Sequence, residues 1–230
     1  MADRDELTAL RAENSRLIAL LESHGVEWRA RQLPSTPPVE PSRLSTDEKV
    51  ALFRRLFRGR TDVYPVRWQS KTTGKSGYAP ACANEWRAGV CEKPRIKCGD
   101  CGHRLLIPLT DAVIYNHLAG DHTVGVYPLL EDDSCYFLAV DFDEAEWRDD
   151  AQAFMQSCEE LGVPATLEIS RSGQGAHAWV FFAGRVSARD ARRLGTAIIS
   201  HTCARTRQLR LTSCDRLFPN QEAYVELLSR

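Results

Sequence analysis

The amino-acid sequence predicts an α/β (α+β) fold, and three observations support this class. Apolar runs of strand length alternate with segments whose apolar residues recur at helical spacing. The chain has 230 residues, 43% of them hydrophobic and 27% charged, as in ordinary globular proteins. In the second half, the predicted elements follow the order β-α-β-β-α-β. That order is typical of a ferredoxin-like or RRM-like sheet backed by helices on one face.

The N-terminal segment, residues 3–31, is predicted to be a coiled-coil helix. Its leucines fall on the a and d positions of a heptad, and Asn14 takes an intervening a position: Leu7, Leu10, Leu17 and Leu21. A polar Asn at one a position fixes register and partner number, so we expect a homodimer. Only about three heptads are present, and a lone amphipathic helix packed on the body is the alternative. Residues 32–44 contain four prolines and are predicted to form a stiff linker.

Residues 45–81 are predicted to form the N-terminal part of the main domain. Ser45 and Glu48 form a capping box, and apolar residues follow at helical spacing. The end of this helix is rich in arginines, which suit the helix dipole or could meet phosphates: Arg54, Arg55, Arg58 and Arg60. The segment from Tyr64 to Tyr78 is predicted to contain strands and loops.

Residues 82–103 carry four of the eight cysteines, namely Cys82, Cys91, Cys98 and Cys101. The last two form a Cys-Gly-Asp-Cys knuckle, which can present two thiolates to one tetrahedral Zn²⁺. Because few apolar residues surround them, we predict a closed, structural zinc site, with His103 as the substitute ligand. Cys135, Cys158 and Cys203 instead lie in apolar segments and are predicted to be buried and inert.

Charge and hydropathy limit which partners the protein can bind and in which compartment it is expected. The net charge of −1 gives no global signal for nucleic acid, so any such binding must come from local patches. No apolar run approaches the roughly 20 residues that span a bilayer, and the N-terminus is charged. We therefore expect a cytoplasmic protein without membrane contact, where reduced cysteines bind metal in preference to forming disulfides.

Residues 104–230 are predicted to form the core. An apolar strand ends in Asp141 and Asp143, and a helix follows from Trp147 to Leu161. Short strands are expected at Ala165–Ser170, Ala176–Phe182 and Leu209–Thr212, and a second helix begins after Ser187.

Asp141 and Asp143 are the first candidate site residues. Side chains of a strand alternate between its faces, so these two carboxylates project from the same face. Two adjacent carboxylates repel each other, and a divalent cation such as Mg²⁺ or Mn²⁺ removes that cost. The alternative is that both cap the following helix and contact only solvent.

The segment Ser172-Gly173-Gln174-Gly175-Ala176-His177 is the second candidate. Its glycines allow close backbone approach to an anion, and successive N–H groups in such a turn form a phosphate nest. His177 opens the next strand, where its imidazole could hydrogen-bond a triphosphate oxygen. A structural histidine is the alternative.

Asp215 is the third candidate and is followed directly by Arg216. A local salt bridge with Arg216, or a turn cap, would explain it. Together with Asp141 and Asp143, it could instead help to hold two divalent ions about 4 Å apart, the arrangement of two-metal phosphoryl-transfer sites.

Taken together, these three motifs resemble those of the archaeo-eukaryotic primase superfamily. More closely, the chain from about Trp68 to Gln221 resembles the primase domain of TOTE conflict systems. That likeness lies in Asn84-Glu85-Trp86, Gly125-Val126-Tyr127-Pro128-Leu129-Leu130 and Asp215-Arg216-Leu217-Phe218-Pro219-Asn220-Gln221.

The resemblance implies a metal-dependent nucleotidyltransferase that makes or extends primers on a DNA template from nucleoside triphosphates. It implies that Asp141, Asp143 and Asp215 bind the metals and that Ser172 and His177 hold the triphosphate. We expect Gly173, Gly175, Arg171 and Arg216 to join that nucleotide site. A zinc-binding insert and helicase and nuclease partners are also usual in the family. The family pattern continues past Pro-Asn-Gln into a Gly-rich segment, so we expect a C-terminally truncated core.

Two other functions use the same residues. In a non-catalytic nucleic-acid-binding module, the zinc knuckle and arginines would grip DNA. In a metal-dependent nuclease, the carboxylates would act on water instead of a 3′-hydroxyl, although the Gly-rich turn with His177 counts against this function.

Overall fold

The computed structural model describes residues 2–25, 42–143, 145–205 and 216–224. The chain divides into two units, Met1–Arg43 and Leu44–Arg230. In the first unit, helix α1 spans Ala2–Ser23, as the heptad pattern predicts. Leu10 is 62% exposed, and Leu7 and Leu17 are nearly half exposed. Three of the four leucines of the predicted stripe are therefore exposed, and Leu21 is half-buried. Most of the predicted linker, residues 32–44, falls outside the described residues.

The second unit begins with helix α2, Thr46–Leu56, and its predicted capping box is confirmed. The Glu48 N–H donates to the Ser45 hydroxyl at 3.3 Å, and the Ser45 N–H donates to the Glu48 carboxylate at 2.7 Å. Val50 is buried, and the ring centroids of Phe53 and Phe57 lie 4.5 Å apart. Helix α2 thus packs through its apolar face.

A β-hairpin follows, formed by β1, Pro65–Gln69, and β2, Ser76–Pro80. Residues 81–110 contain little regular structure beyond a 3₁₀ turn at Cys98–Asp100. Helix α3, Asp111–Ala119, was not predicted. Its signals are nevertheless present in the sequence: the Thr110 hydroxyl caps its first turn, and Gly120 ends it at φ +88°.

The remaining elements alternate as predicted. They are β3 (Ser134–Phe142), α4 (Trp147–Glu160), β4 (Thr166–Ile169), β5 (Ala176–Ser187), α5 (Ala188–Arg205) and β6 (Arg216–Phe218). The four strands form one sheet in the order β4-β5-β3-β6, and every neighbouring pair is antiparallel.

This strand order consists of two interleaved β-α-β units. β3 and β4 run in the same direction on either side of β5, and β5 and β6 do so on either side of β3. The predicted β-α-β-β-α-β order and mixed α+β class are therefore confirmed. The strand expected at Leu209–Thr212 lies outside the described residues; the last described strand is Arg216–Phe218.

The two faces of the sheet carry different residues because side chains alternate along each strand. One face packs on α4 and α5 through fully buried residues that include Val140, Phe142 and Ala178. Gly195 makes this contact close: an added Cβ would lie 3.0 Å from Leu217 and 3.1 Å from Leu138. The opposite face carries an aromatic cluster followed by the candidate site residues.

The aromatic cluster consists of Phe57 of the α2 end and three residues of the sheet, Phe137, Trp179 and Phe181. Phe57 meets Trp179 edge-on with ring centroids 4.9 Å apart, and Trp179 is nearly parallel to Phe181. Edge-to-face packing of this kind stabilises beyond the area buried. The cluster joins the end of α2 to the face of the sheet that carries the site.

Two further predictions concern buried cysteines and membranes. Cys135 and Cys158 are buried as expected, and burial raises the pKa of each thiol to about 11. Cys203 is only half-buried. Within the described residues, no helix is long and apolar enough to cross a bilayer.

Candidate active site

One row of four side chains crosses the sheet from edge to edge. The strand register pairs Glu168 of β4 with His177 of β5, His177 with Asp141 of β3, and Asp141 with Arg216 of β6. Directly opposed residues of antiparallel strands share a face. The row therefore alternates acid, imidazole, acid and guanidinium on the face away from α4 and α5.

Distances within the row correspond to charge contacts. The Asp141 Oδ1 atom lies 3.5 Å from His177 Nε2, and the Glu168 Oε2 atom lies 3.7 Å from His177 Nδ1. Both distances are longer than an ordinary N–H···O hydrogen bond, so the attraction between the groups is mainly electrostatic. The same Glu168 oxygen is held in place by the Trp179 indole N–H, which donates to it at 2.9 Å.

These contacts shift the pKa of both His177 and Glu168. Glu168 raises the pKa of His177, Asp141 and Asp143 raise it further, and burial opposes them. In return, His177 lowers the pKa of Glu168, as does the hydrogen bond from Trp179, while burial again opposes the shift. The imidazolium form of His177 is therefore favoured by the carboxylates on both sides of it.

Asp143 follows the last residue of β3, and its side chain lies on the same side as that of Asp141. One guanidinium reaches both: Arg216 nitrogens lie 3.8 Å from Asp141 Oδ2 and 3.6 Å from Asp143 Oδ2. The predicted shared orientation of these two acids is confirmed. Asp141 is the more enclosed, since 17% of its side chain is exposed against 42% for Asp143.

The Gly-rich turn between β4 and β5 packs against the end of β3. An added Cβ at Gly175 would lie 2.6 Å from the Phe142 carbonyl oxygen and 3.5 Å from the Asp143 Cα. Only glycine allows this close approach, which places the turn beside the acids. Gly173 has φ +69°, a conformation that glycine adopts without strain.

Ser172 and Arg171 have local partners in this turn. The Ser172 hydroxyl accepts from the Gln174 N–H at 3.2 Å and lies 3.0 Å from the Ser170 hydroxyl. Arg171 donates to the Thr123 hydroxyl at 3.5 Å. Asp215 lies outside the described residues, whereas its neighbour Arg216 contacts both described acids.

The carboxylates of Asp141 and Asp143 have the donor chemistry of a site for hard divalent cations. Two adjacent anions already share one cation in this structure, the guanidinium of Arg216. Oxygen ligands of this kind suit Mg²⁺ or Mn²⁺. Among residues 2–25, 42–143, 145–205 and 216–224, no three His, Cys, Asp or Glu side chains are grouped closely enough to form a metal site.

The four predicted zinc cysteines line one cavity of about 20 Å³, together with His103. This volume suits a single ion or water rather than an organic ligand. The Cys98–Asp100 turn brings Cys101 back towards Cys98, and the Leu105 N–H donates to the Cys82 sulfur at 3.4 Å. Cysteine sulfurs gathered in one small cavity fit a structural Zn²⁺ by donor type, although no three of the described His, Cys, Asp or Glu side chains form a group that meets the criterion for a metal site.

Glu168 is a site residue that the sequence analysis missed. It belongs to a four-residue edge strand, and no spacing in the sequence connects it with His177. A polar residue between Leu167 and Ile169 is a weak signal. Its position becomes evident only through the pairing of β4 with β5.

Comparison with protein families gives a match over most of the chain. A sequence model described as the TOTE conflict system, archaeo-eukaryotic primase domain, matches residues 48–226. No curated protein matches the sequence significantly.

Among solved structures, one that matches is the polymerase domain from Mycobacterium tuberculosis ligase D in complex with DNA. The match has a TM-score of 0.39 and 13% sequence identity. It covers 71% of this chain and 63% of that chain, so the present chain spans less than two thirds of that neighbour's length.

Proposed function

Because the chain belongs to the archaeo-eukaryotic primase domain family of TOTE conflict systems, we propose that it is a template-dependent nucleotidyltransferase of the primase-polymerase type. It would join a nucleoside triphosphate to the 3′-hydroxyl of a primer. The observation that carries this proposal is the meeting of Asp141 and Asp143 with His177 and the Gly-rich turn at one end of the central strand.

Asp141 and Asp143, with Asp215, are the proposed ligands of catalytic Mg²⁺ or Mn²⁺. Such ions, when bound, activate the attacking hydroxyl and stabilise the leaving pyrophosphate. The protein supplies a fixed geometry for this chemistry, because Asp141 belongs to the central strand and is paired on both sides. Positioning and charge neutralisation account for most of the catalysis of phosphoryl transfer.

The triphosphate is proposed to lie over the Gly-rich turn. The exposed tip of the turn, Ser172 and Gln174, is the proposed contact: the Ser172 hydroxyl can donate to a phosphate oxygen, and His177 supplies a cation at the edge of the turn. Gly175 is buried, and the Gly173 N–H already donates to the Ser170 carbonyl at 2.8 Å, so these two glycines shape the turn instead of contacting the phosphates. Arg171 and Arg216 are exposed guanidinium groups on either side. For Arg216, nucleotide binding requires a change of partner from the two carboxylates to the phosphates.

A primer-extension assay with Mg²⁺ or Mn²⁺ tests the proposed activity. We expect the wild type to extend a primer and Asp141→Ala to lose activity about 100-fold or more. Asp121→Ala, an exposed acid after α3, should retain activity and serves as the charge-matched control. DNA cleavage in place of extension would identify a nuclease. Binding without extension in the wild type would identify a non-catalytic module.

We also propose that Cys82, Cys91, Cys98 and Cys101 hold one structural Zn²⁺. Four protein ligands close the coordination sphere, so this site would stabilise residues 82–103 without a catalytic role. Zinc content of the purified protein should be one per chain and should fall in Cys98→Ser. Cys203→Ser, which changes a cysteine of α5, should keep its zinc. A zinc-free wild type that folds normally would contradict the site.

Finally, we propose that α1 pairs two chains in a parallel coiled coil. Its exposed leucines have the a and d spacing that such pairing requires, and a second copy is the partner with a matching stripe. Light scattering should give a dimer for the wild type and a monomer for Leu10→Asp. Ala12→Asp, at an outer heptad position, should remain dimeric. As partners of the proposed nucleotidyltransferase, we also propose a DNA template and primer, and the helicase and nuclease that are usual in the family.

A further inference from the structure

The β1–β2 hairpin presents an exposed aromatic ring and a cation side by side. Tyr78 of β2 lies directly opposite Arg67 of β1, so both side chains share one face of the hairpin. Tyr78 is 57% exposed, and Arg67 is exposed as well. Exposed aromatic rings next to cations are the elements of a surface that stacks on bases and contacts phosphates.

This face continues towards the Gly-rich turn. The Arg67 N–H donates to the Thr123 carbonyl at 2.9 Å, and Val66 pairs with Val124, so residue 123 lies beside Arg67 on the next segment. The Thr123 hydroxyl in turn accepts from Arg171 at 3.5 Å. Tyr78, Arg67, Thr123 and Arg171 therefore form a continuous row, called here the hairpin face, which ends at the turn of the candidate site.

The charged side chains of the hairpin itself are all positive. Residues 63–84 contain Arg67, Lys71 and Lys75 and no Asp or Glu. Lys71 and Lys75 are both exposed in the connection between β1 and β2. The chain as a whole has a net charge of −1, so this concentration of cations is local. It complements a polyanion.

We propose that the hairpin face binds single-stranded nucleic acid and leads it to the acids at the end of β3. Tyr78 stacks on an unpaired base, while Arg67, Lys71 and Lys75 contact phosphates. An aromatic face of this type distinguishes single strands from duplexes, because bases within a duplex are already stacked on one another. The claim that the bound nucleic acid leads to these acids rests on the proposed nucleotidyl transfer, whereas the claim that it binds the hairpin face does not.

Fluorescence anisotropy with the full-length chain and a labelled single-stranded oligonucleotide tests this inference. We expect Tyr78→Ala to weaken binding about 5- to 100-fold, the loss of one stacked base. Tyr78→Phe should bind nearly as well as the wild type because the ring is retained. Tyr115→Ala, which removes a comparably exposed ring from α3, should bind within twofold of the wild type; the twofold limit is roughly the ±0.5 kcal/mol of a neutral surface change.

Salt dependence tests the phosphate contacts separately. Arg67→Ala should reduce the slope of log affinity against log salt by about 0.7, the value for one phosphate of a single strand. Arg193→Ala, which removes the same charge from α5, should leave the slope unchanged. Thermal melting of each variant shows whether the chain still folds. If Tyr78→Ala does not fold, Tyr78→Phe still tests the inference, because loss of binding in that variant would contradict stacking by the ring.

The results separate this inference from the proposed function. Asp141→Ala should bind the oligonucleotide like the wild type while failing to extend a primer. If a folded Tyr78→Ala binds like the wild type, or a duplex competes as well as a single strand, the hairpin face is not the binding surface. That result would leave primer extension by the wild type intact. Loss of binding in the hairpin variants, in a chain that extends nothing, would support the inference and overturn the proposed activity.

Discussion

Asp141 and His177 lie opposite each other on two central strands, with 3.5 Å between Asp141 Oδ1 and His177 Nε2. The pairing joins the acid motif to the Gly-rich motif, although 36 positions separate them in the sequence. Glu168 and Arg216 extend the same row in either direction. The candidate site is therefore a property of the sheet register.

Replacing His177 by glutamine tests its role in holding the triphosphate. His177→Gln removes a cation at the edge of the Gly-rich turn while keeping a polar side chain of similar size. We expect kcat/KM for the nucleotide to fall about 10- to 100-fold, the typical cost of losing a hydrogen bond to a charged group. Steady-state primer extension measures this. His201→Gln, in α5, should keep wild-type kinetics, and equal losses in both variants would contradict a specific role for His177.

Replacing Gly175 by alanine tests the close packing of the turn on β3. The new methyl group would lie 2.6 Å from the Phe142 carbonyl oxygen, a backbone atom that cannot rotate away. We expect the free energy of unfolding to fall by about 1–3 kcal/mol and primer extension to fall with it. Urea denaturation measures the first effect. Gly184→Ala, in β5, is the matched control, because nothing lies within 4 Å of its added Cβ. Equal stability of the two variants would refute the packing argument.

Removing Arg216 tests whether its guanidinium and a metal ion share the same carboxylates. In Arg216→Ala, no cation competes from this position, so Mn²⁺ should bind about two- to fivefold more tightly without nucleotide. Nucleotide affinity should fall in the same variant. Titration followed by electron paramagnetic resonance measures free Mn²⁺. Arg189→Ala, whose partner is Glu222, should bind Mn²⁺ like the wild type. Weaker Mn²⁺ binding in Arg216→Ala would show that the arginine organises the site instead of competing for it.

The thiols of Cys135 and Cys158 should resist modification. Their pKa is raised to about 11 by burial, so the reactive thiolate is scarce at pH 8. Alkylation followed by peptide mass mapping should label both only after unfolding in guanidinium. In the native chain, the half-buried Cys203 should be labelled first of these three. Rapid native labelling of Cys158 would show that the core formed with α4 opens more often than its burial indicates.

Periodicity predicted much of the fold because it records which face of each element is buried. The helix from Thr46, the strand ending at Phe142 and the shared face of Asp141 and Asp143 all follow from local patterns. The capping box of Ser45 and Glu48 could also be predicted, because its two residues lie only three positions apart. Helix α3 was not predicted because the helical periodicity of its apolar residues is weak, even though Thr110 and Gly120 mark its two ends.

Local sequence alone therefore determined the α+β class, the order of the elements, the cysteine cluster and the identity of the acids. Tertiary structure decided which of these residues meet. The contact of Glu168 with His177, the guanidinium shared by Asp141 and Asp143, and the row from Tyr78 to Arg171 all depend on strand register. Strand register depends on contacts between segments that are distant in the sequence, and a slip of one residue would turn every side chain of a strand to the other face. The pattern within one strand does not state which residue of the neighbouring strand lies opposite.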